Sequence, residues 1–280
     1  MPSSVSPPIE APAYLPYPKG RLIDPAAQDE ILLEVERRAR AAGPRGAVVF
    51  DLDSTLLDNR GRQARILREY GAVQGLAALR NTEPRHFTSW SLTDTLCHLG
   101  LPEEEAQRLA PELRVYWRER FFTSEYCYDD IPLPGAVEYV QALLATGCRI
   151  VYCTGRHTAM GEGTVTSFRS GGLPLPDQKA VHLLLKPNFE MSDDAWKQSA
   201  VRLIDALGEV VAAFDNEPAH VNVYATAYPA ARVVHLATDD SARPIPLAPG
   251  VPSIAHFVIA ARHTAWAGAA AGSPGNKDVS

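Results

Sequence analysis

Asp51 and Asp53 stand two positions apart, directly after the apolar run Ala47-Val48-Val49-Phe50. Two carboxylates that close, at the mouth of a buried run, repel each other unless a positive charge lies between them. A divalent cation meets that need, because hard cations take oxygen ligands. The same pair could divide the work of group transfer, one carboxylate attacking while the other moves a proton. Taken alone, the pair is equally well explained as an aspartate loop capping the next helix.

Two more apolar runs end in groups able to do chemistry. Ile150-Val151-Tyr152 leads through Cys153 into Thr154-Gly155-Arg156. There a hydroxyl and backbone N–H groups suit an anionic oxygen, and Arg156 suits an anionic substrate group. A strand-to-helix turn with Thr154 as N-cap competes with that reading. Val210 to Phe214 leads into Asp215-Asn216-Glu217-Pro218, where a turn before a helix starting near Pro218 is the alternative. Two lysines precede it. Lys186 ends a fifth and weaker run, Val181 to Leu185, and Lys197 sits in an amphipathic stretch that follows Ser192-Asp193-Asp194, a capped and acidic helix start.

The elements that must position these groups are legible in outline. The runs at 47–50, 150–152, 210–214 and 233–236 are apolar without alternation, as in strands of a parallel sheet covered on both faces. Helical periodicity over 28–41, 135–145 and 193–207 separates them. Strands alternating with helices predict an α/β fold with a Rossmann-like, three-layer parallel sheet. Ligands in such sheets gather beyond the carboxyl ends of the strands, which is where the polar groups fall. The stretch from 59 to 131 interrupts the alternation with helical patterns, an aromatic passage from Tyr116 to Tyr128, and no convincing strand. Pro111 is expected to kink or divide one of its helices. The predicted layout is a core of 27–58 and 132–262, a helical insertion at 59–131, an extended or disordered segment at 1–26 and a flexible tail at 263–280.

Taken in order, these strand ends resemble the haloacid dehalogenase (HAD) superfamily. Its first motif, Asp-x-Asp-x-Thr, is matched by Asp51, Asp53 and Thr55, its second by Thr154, and its fourth by Asp215-Asn216-Glu217. The resemblance covers roughly residues 45–58 and 132–240. It implies a phosphatase in which Asp51 is the nucleophile and forms an aspartyl-phosphate, and Asp53 is the acid and base. It implies Mg²⁺ held by Asp51, the backbone carbonyl of Asp53, and Asp215, with Thr154 and Gly155 at the phosphoryl group. Lys197 resembles the family's helix-borne third-motif lysine more than Lys186 does, which leaves Lys186 as a substrate contact or a surface charge. Asn216 departs from the usual acidic residue, and Glu217 is expected to compensate through water. The carboxylate at Asp53 argues for phosphoryl transfer over dehalogenation, since an alkoxide leaving group needs a proton. The insertion has the position of a helical cap, with His86, Trp90, Arg118, Arg120 and Tyr126 as candidate substrate contacts.

Composition narrows the partners. With 27 Lys and Arg against 33 Asp and Glu, the net charge of −6 offers no basic footprint for duplex DNA. No run of apolar residues is long enough to span a membrane, and the N-terminus has no secretory pattern. The four cysteines lack metal-ligand spacing and read as thiols of a cytoplasmic protein. The expected partner is a small phosphorylated metabolite or nucleotide. A phosphatase of nucleic-acid 3′ ends and a non-catalytic binding module of the same fold are the alternatives. Oligomeric state is left open.

Overall fold

The computed structural model describes residues 16–262. The chain opens with α1 (Pro25–Ala42), β1 (Gly46–Phe50), β2 (Leu57–Asp58), α2 (Arg60–Gln74), α3 (Leu92–His98) and α4 (Glu103–Phe121). It returns through β3 (Ile131–Pro132), α5 (Ala136–Leu144), β4 (Arg149–His157), α6 (Gly161–Gly171) and β5 (Val181–Lys186). It ends with α7 (Asp193–Asp205), β6 (Glu209–Asp215), α8 (Pro218–Ala227), β7 (Arg232–Leu236) and β8 (Ser253–Ile254).

Six strands form one parallel sheet in the order β5-β4-β1-β6-β7-β8. Successive side chains of the central strands point to opposite faces. Val48, Phe50, Ile150, Tyr152, Ala212 and Phe214 pack beneath α1, α5 and α6, through Leu32, Tyr139 and Phe168 among others. Ala47, Val49, Val151, Cys153 and Ala213 pack against Trp196 and Ile204 of α7 and Val221 and Tyr224 of α8. Burial on both faces is why these strands read as unbroken apolar runs. Phe50 and Phe214 stack across the sheet at 4.8 Å between ring centroids, close to where the chemistry-bearing residues emerge.

Between β2 and β3 the chain builds a helical segment with its own apolar cluster, including Leu67, Tyr70, Leu96, Leu109 and Leu113. Pro111 does not divide α4, which runs unbroken past it. The proline is exposed, while Ala106, Leu109, Ala110 and Leu113 hold both halves of the helix in the same cluster. The stretch read as free of strands is entered and left by the short antiparallel pair β2–β3, Leu57 opposite Pro132 and Asp58 opposite Ile131. These two-residue strands, like β8, are too short to leave a periodic signal.

The predicted extended or disordered segment at 1–26 needs correction over its described part. Tyr17 is buried in the main core, and its hydroxyl donates to Asp58 Oδ1 at 3.1 Å. The Arg60 guanidinium lies 4.0 Å over its ring. Helix α1 begins at Pro25, capped by the Asp24 carboxylate. An aromatic ring with a polar tip anchors a proline-rich stretch that composition alone marks as loose. The rest of that segment, 1–15, and the predicted tail at 263–280 lie outside the described residues. Among the described residues no helix is long and apolar enough to cross a membrane, and the four cysteines are free thiols.

Because Tyr17 is a core residue, Tyr17→Ala should lower unfolding stability by about 3 kcal/mol, as large-to-small core substitutions do. Urea denaturation checks this, and a midpoint equal to the parent's would show that the segment contributes nothing.

Candidate active site

β1 stops at Phe50, but the Asp51 N–H still donates to the Phe214 carbonyl at 2.9 Å. Asp51 is therefore held in register with the end of β6. The chain then winds around one carbonyl: Thr55, Leu56 and Leu57 all donate N–H to Leu52 O. Ser54 takes a left-handed conformation, φ 58°, to make this turn. Thr55 Oγ1 donates to Asn216 Oδ1 at 3.1 Å, tying the turn to the next strand end. Asp53 comes out on the far side of the turn from Asp51.

The two acids consequently have different partners. Asp51 Oδ1 and Asp215 Oδ2 each accept from Lys197 Nζ at 2.7 Å, and the Cys153 carbonyl takes a third bond at 2.8 Å. Burial works against the Lys197 charge, but Asp215 and Asp51 overcome it and push its pKa well above the ordinary lysine value. Burial pushes Asp51 up to about 7, helped by Asp215 and opposed by Lys197. Asp215 is buried too, yet Lys197 and His220 hold it below the usual carboxylate range.

Asp53 is gripped by arginines. Arg156 donates Nε to Asp53 Oδ2 at 2.9 Å and Nη2 to Oδ1 at 2.7 Å. Arg62 Nη2 reaches Oδ1 at 2.5 Å. Asp130 joins the two guanidiniums, accepting from Arg62 at 2.9 and 2.8 Å and from Arg156 at 2.5 Å. Burial opposes the Asp53 charge, but Arg156 and then Arg62 hold it well below the usual range. Arg156, read from the sequence as a substrate contact, is thus corrected: its donors go to Asp53, Asp130 and the Thr164 hydroxyl. A guanidinium buried to this degree is stable only when carboxylates surround it.

In β4, at the point where its pairing with β5 shifts register, Thr154 Oγ1 accepts the Arg156 N–H at 3.2 Å, which leaves its own proton to offer a ligand oxygen. The Thr154 carbonyl is fixed by Trp196 Nε1 at 2.8 Å. A Cβ at Gly155 would come within 2.8 Å of the Asp193 carboxylate, so a larger residue there would have to push that side chain aside. Lys186 is at a different place: its ammonium pairs with Asp193 at 2.7 Å. The geometry brings Lys197, not Lys186, to Asp51.

The β6 end also differs from expectation. Asn216 Nδ2 donates to the Asp239 carbonyl and its Oδ1 accepts from Thr55, so its amide is a strut between strand ends. Glu217, expected to support a metal through water, accepts instead from Ser241 and Arg243. His220, which carries no spacing signal in the sequence, donates Nε2–H to Asp194 Oδ1 at 2.9 Å, with its other nitrogen 3.6 Å from Asp215.

These groups floor a cleft of about 600 Å³ whose other wall is the helical segment, with Trp90, Arg114, Trp117, Phe121 and Phe122. Of the five candidate contacts there, Trp90 lines the cleft. His86 bonds its own turn at Glu83, Arg118 and Arg120 lie over the Phe189 and Tyr116 rings, and Tyr126 donates to Glu69. Arg114, exposed and without a carboxylate partner among the described residues, gave no signal in the sequence, nor did Arg62, one of several arginines along a polar helix.

Whether a divalent cation fits can be judged from the donors. Among the described residues no three His, Cys, Asp or Glu side chains converge. Asp51 and Asp215 do, through one shared ammonium. Two carboxylates with main-chain carbonyls and water suit Mg²⁺, which keeps much of its hydration shell. The Asp53 side chain is turned to arginine, so only its carbonyl could join the set.

No protein-family model matches the sequence, and no curated protein does. Solved structures are similar in fold. A Clostridium difficile protein assigned as a phosphatase shares 15% identity at a TM-score of 0.51, over 78% of this chain and 97% of its own. Protein Tyrosine Kinase A (PtkA) of Mycobacterium tuberculosis shares 18% at 0.51, over 80% and 98%. A looser likeness, 16% at 0.45 over 77% and 94%, is to a Geobacter sulfurreducens HAD-superfamily hydrolase. At such identities the likeness shows the fold alone, a Rossmann-like α/β core.

Lys197→Met should leave two buried carboxylates facing each other and lower stability by about 3–5 kcal/mol. Millimolar Mg²⁺ should restore part of that loss in a thermal melt; no response to the cation would count against a metal position between Asp51 and Asp215. Asp53, its pKa depressed, contributes stability that is complete above the unfolded value of ~3.9 and lost as pH falls through the lower folded value. The stability gap between the protein and Asp53→Asn should therefore be constant at neutral pH and close in acid.

Proposed function

We propose that this chain is a Mg²⁺-dependent phosphomonoester hydrolase that works through an aspartyl-phosphate on Asp51, with the 59–131 segment as its helical cap. One observation carries the reading: the Lys197 ammonium bridges Asp51 and Asp215 at neighbouring strand ends in an open cleft. The Rossmann-like fold and the phosphatase assignment of the Clostridium difficile neighbour support it.

When bound, Mg²⁺ would neutralise the repulsion between a carboxylate and a phosphate dianion; Asp51, the Asp53 carbonyl and Asp215 would hold it. Lys197 keeps the nucleophile oriented, since Asp51 Oδ1 is occupied by the ammonium and Oδ2 is left to attack. That attack forms an Oδ2–P bond and breaks the bond from phosphorus to the ester oxygen. The Thr154 hydroxyl donates to a phosphoryl oxygen as it does so. Asp53 is ionised among its arginines, so it must take up a solvent proton before it passes one to the departing alkoxide. Ionised again, it takes a proton from the water that attacks phosphorus, which breaks the Oδ2–P bond, releases phosphate and regenerates Asp51. Arg62 and Arg156 fix its orientation and favour the ionised form that receives the proton from water. Esters of poorly leaving alcohols therefore lean hardest on Asp53. Four free thiols are in keeping with a reducing, cytoplasmic location.

Phosphate release with and without Mg²⁺ tests the reading. Asp51→Asn should abolish turnover, and equal release from parent and variant would remove Asp51 as nucleophile. Asp53→Asn should cost about 10²–10⁴-fold on an alkyl phosphate, the usual worth of general acid–base catalysis, and measurably less on an aryl phosphate whose leaving group needs little protonation.

A further inference from the structure

The cleft has two unlike walls. The core wall is charged, with Asp51, Asp215, Lys197 and Thr154 at the strand ends. The wall from the helical segment is mostly a cluster of aromatic rings, with Arg114 and Gln63 as its polar members. Trp117 and Phe121 stack at 4.3 Å with planes 21° apart. Trp90 stands edge-on to Trp117 at 6.0 Å, and Phe122 stands edge-on to Trp117 at 5.7 Å. Phe121 is buried, but Trp90, Trp117 and Phe122 are only partly so, and all line the cleft together with Leu92. Ring surface therefore remains to be covered by whatever enters.

A phosphate anchored at Thr154 places its ester group in the remainder of the cleft. A glycerol or sugar there would set hydroxyls that need hydration against apolar rings. A flat ring would bury its faces and edges in the offset and edge-on arrangements that aromatic pairs favour. The volume of about 600 Å³ lies within the range of small-molecule sites, well beyond what a phosphate alone fills. We propose that the cleft selects phosphomonoesters whose alcohol carries a planar aromatic ring, held against Trp90 and Trp117. This rests on the phosphatase reading above and narrows its substrate class.

The test pairs esters that share the bond broken and differ in the ring. A nucleoside 5′-monophosphate is compared with ribose 5-phosphate, and benzyl phosphate with ethyl phosphate, using the full chain and Mg²⁺. The ring-bearing member should lead by about tenfold in kcat/KM, mostly through KM, in keeping with the size of single stacking contacts. A lead in the nucleotide pair alone identifies a heterocyclic ring, and a lead in the benzyl pair alone a carbocyclic one; either supports the selection. Trp90→Ala should remove most of the preference, lowering kcat/KM several-fold more for the ring-bearing members than for ribose 5-phosphate and ethyl phosphate. Trp117→Phe, which keeps a ring in the cluster, should retain it. Equal kcat/KM within both pairs, or equal losses on both members in Trp90→Ala, overturns the proposal. If no ester is turned over, the phosphatase reading fails by itself. Titration calorimetry of Asp51→Asn with the same four compounds then decides the selection, tighter binding of the ring-bearing members supporting it and equal binding overturning it.

Discussion

One ammonium shared between two buried carboxylates sets the terms for the middle of this molecule. Lys197 must reach Asp51 and Asp215 from a helix on one face of the sheet, so α7 has to dock tightly over β4. Trp196 does that docking, with its ring in the apolar cluster and its indole N–H on the Thr154 carbonyl. The neighbouring residue then points its side chain between the strand ends. A carboxylate pair without that cation, or without a metal in its place, would carry a desolvation cost of several kcal/mol per charge. The helix position, the strand order and the polar strand ends therefore depend on one another.

A second set of charges governs Asp53. Its partners come from three parts of the chain: Arg62 from α2, Arg156 from the end of β4, and Asp130 from the return of the helical segment, which touches both arginines. The two acids of the first motif, two residues apart, are thereby divided between two separate networks. Asp51 faces lysine, while Asp53 faces guanidinium groups. Divergent surroundings of this sort let two chemically identical side chains take different roles.

Much of this was legible before any coordinates. Burial on both faces left the strands as unbroken apolar runs, and Asp51, Thr154 and Asp215 each end one of them. Lys197 was favoured over Lys186 only through a family resemblance, because nothing in its helix distinguishes it until Asp51 and Asp215 are placed beside it. What stayed hidden depends on pairing across the chain. Arg156 sits next to Thr154 in sequence and so reads as a ligand contact, but Asp130, 26 residues upstream, claims it. Arg62 is one basic residue among many in α2 until Asp53 and Asp130 close around it. Tyr17 escaped notice because proline-rich composition masks a single ring whose partners come from β2 and α2. Pro111 misled in the other direction: an exposed proline costs a helix one hydrogen bond, and the apolar stripe of α4 outweighs that.

The four-charge cluster at the root of the helical segment has a property that follows from its pattern of bonds. Arg62 holds Asp130 with two bonds, and Arg156 holds Asp53 with two. Single bonds from Arg62 to Asp53 and from Arg156 to Asp130 stitch these pairs together. Arg62 and Asp130 belong to the helical segment, Arg156 and Asp53 to the sheet edge. The square can therefore part along a seam that separates two neutral doublets. No lone ion is stranded in either half, which makes a hinged separation at this joint far less costly than burial of four charges first suggests.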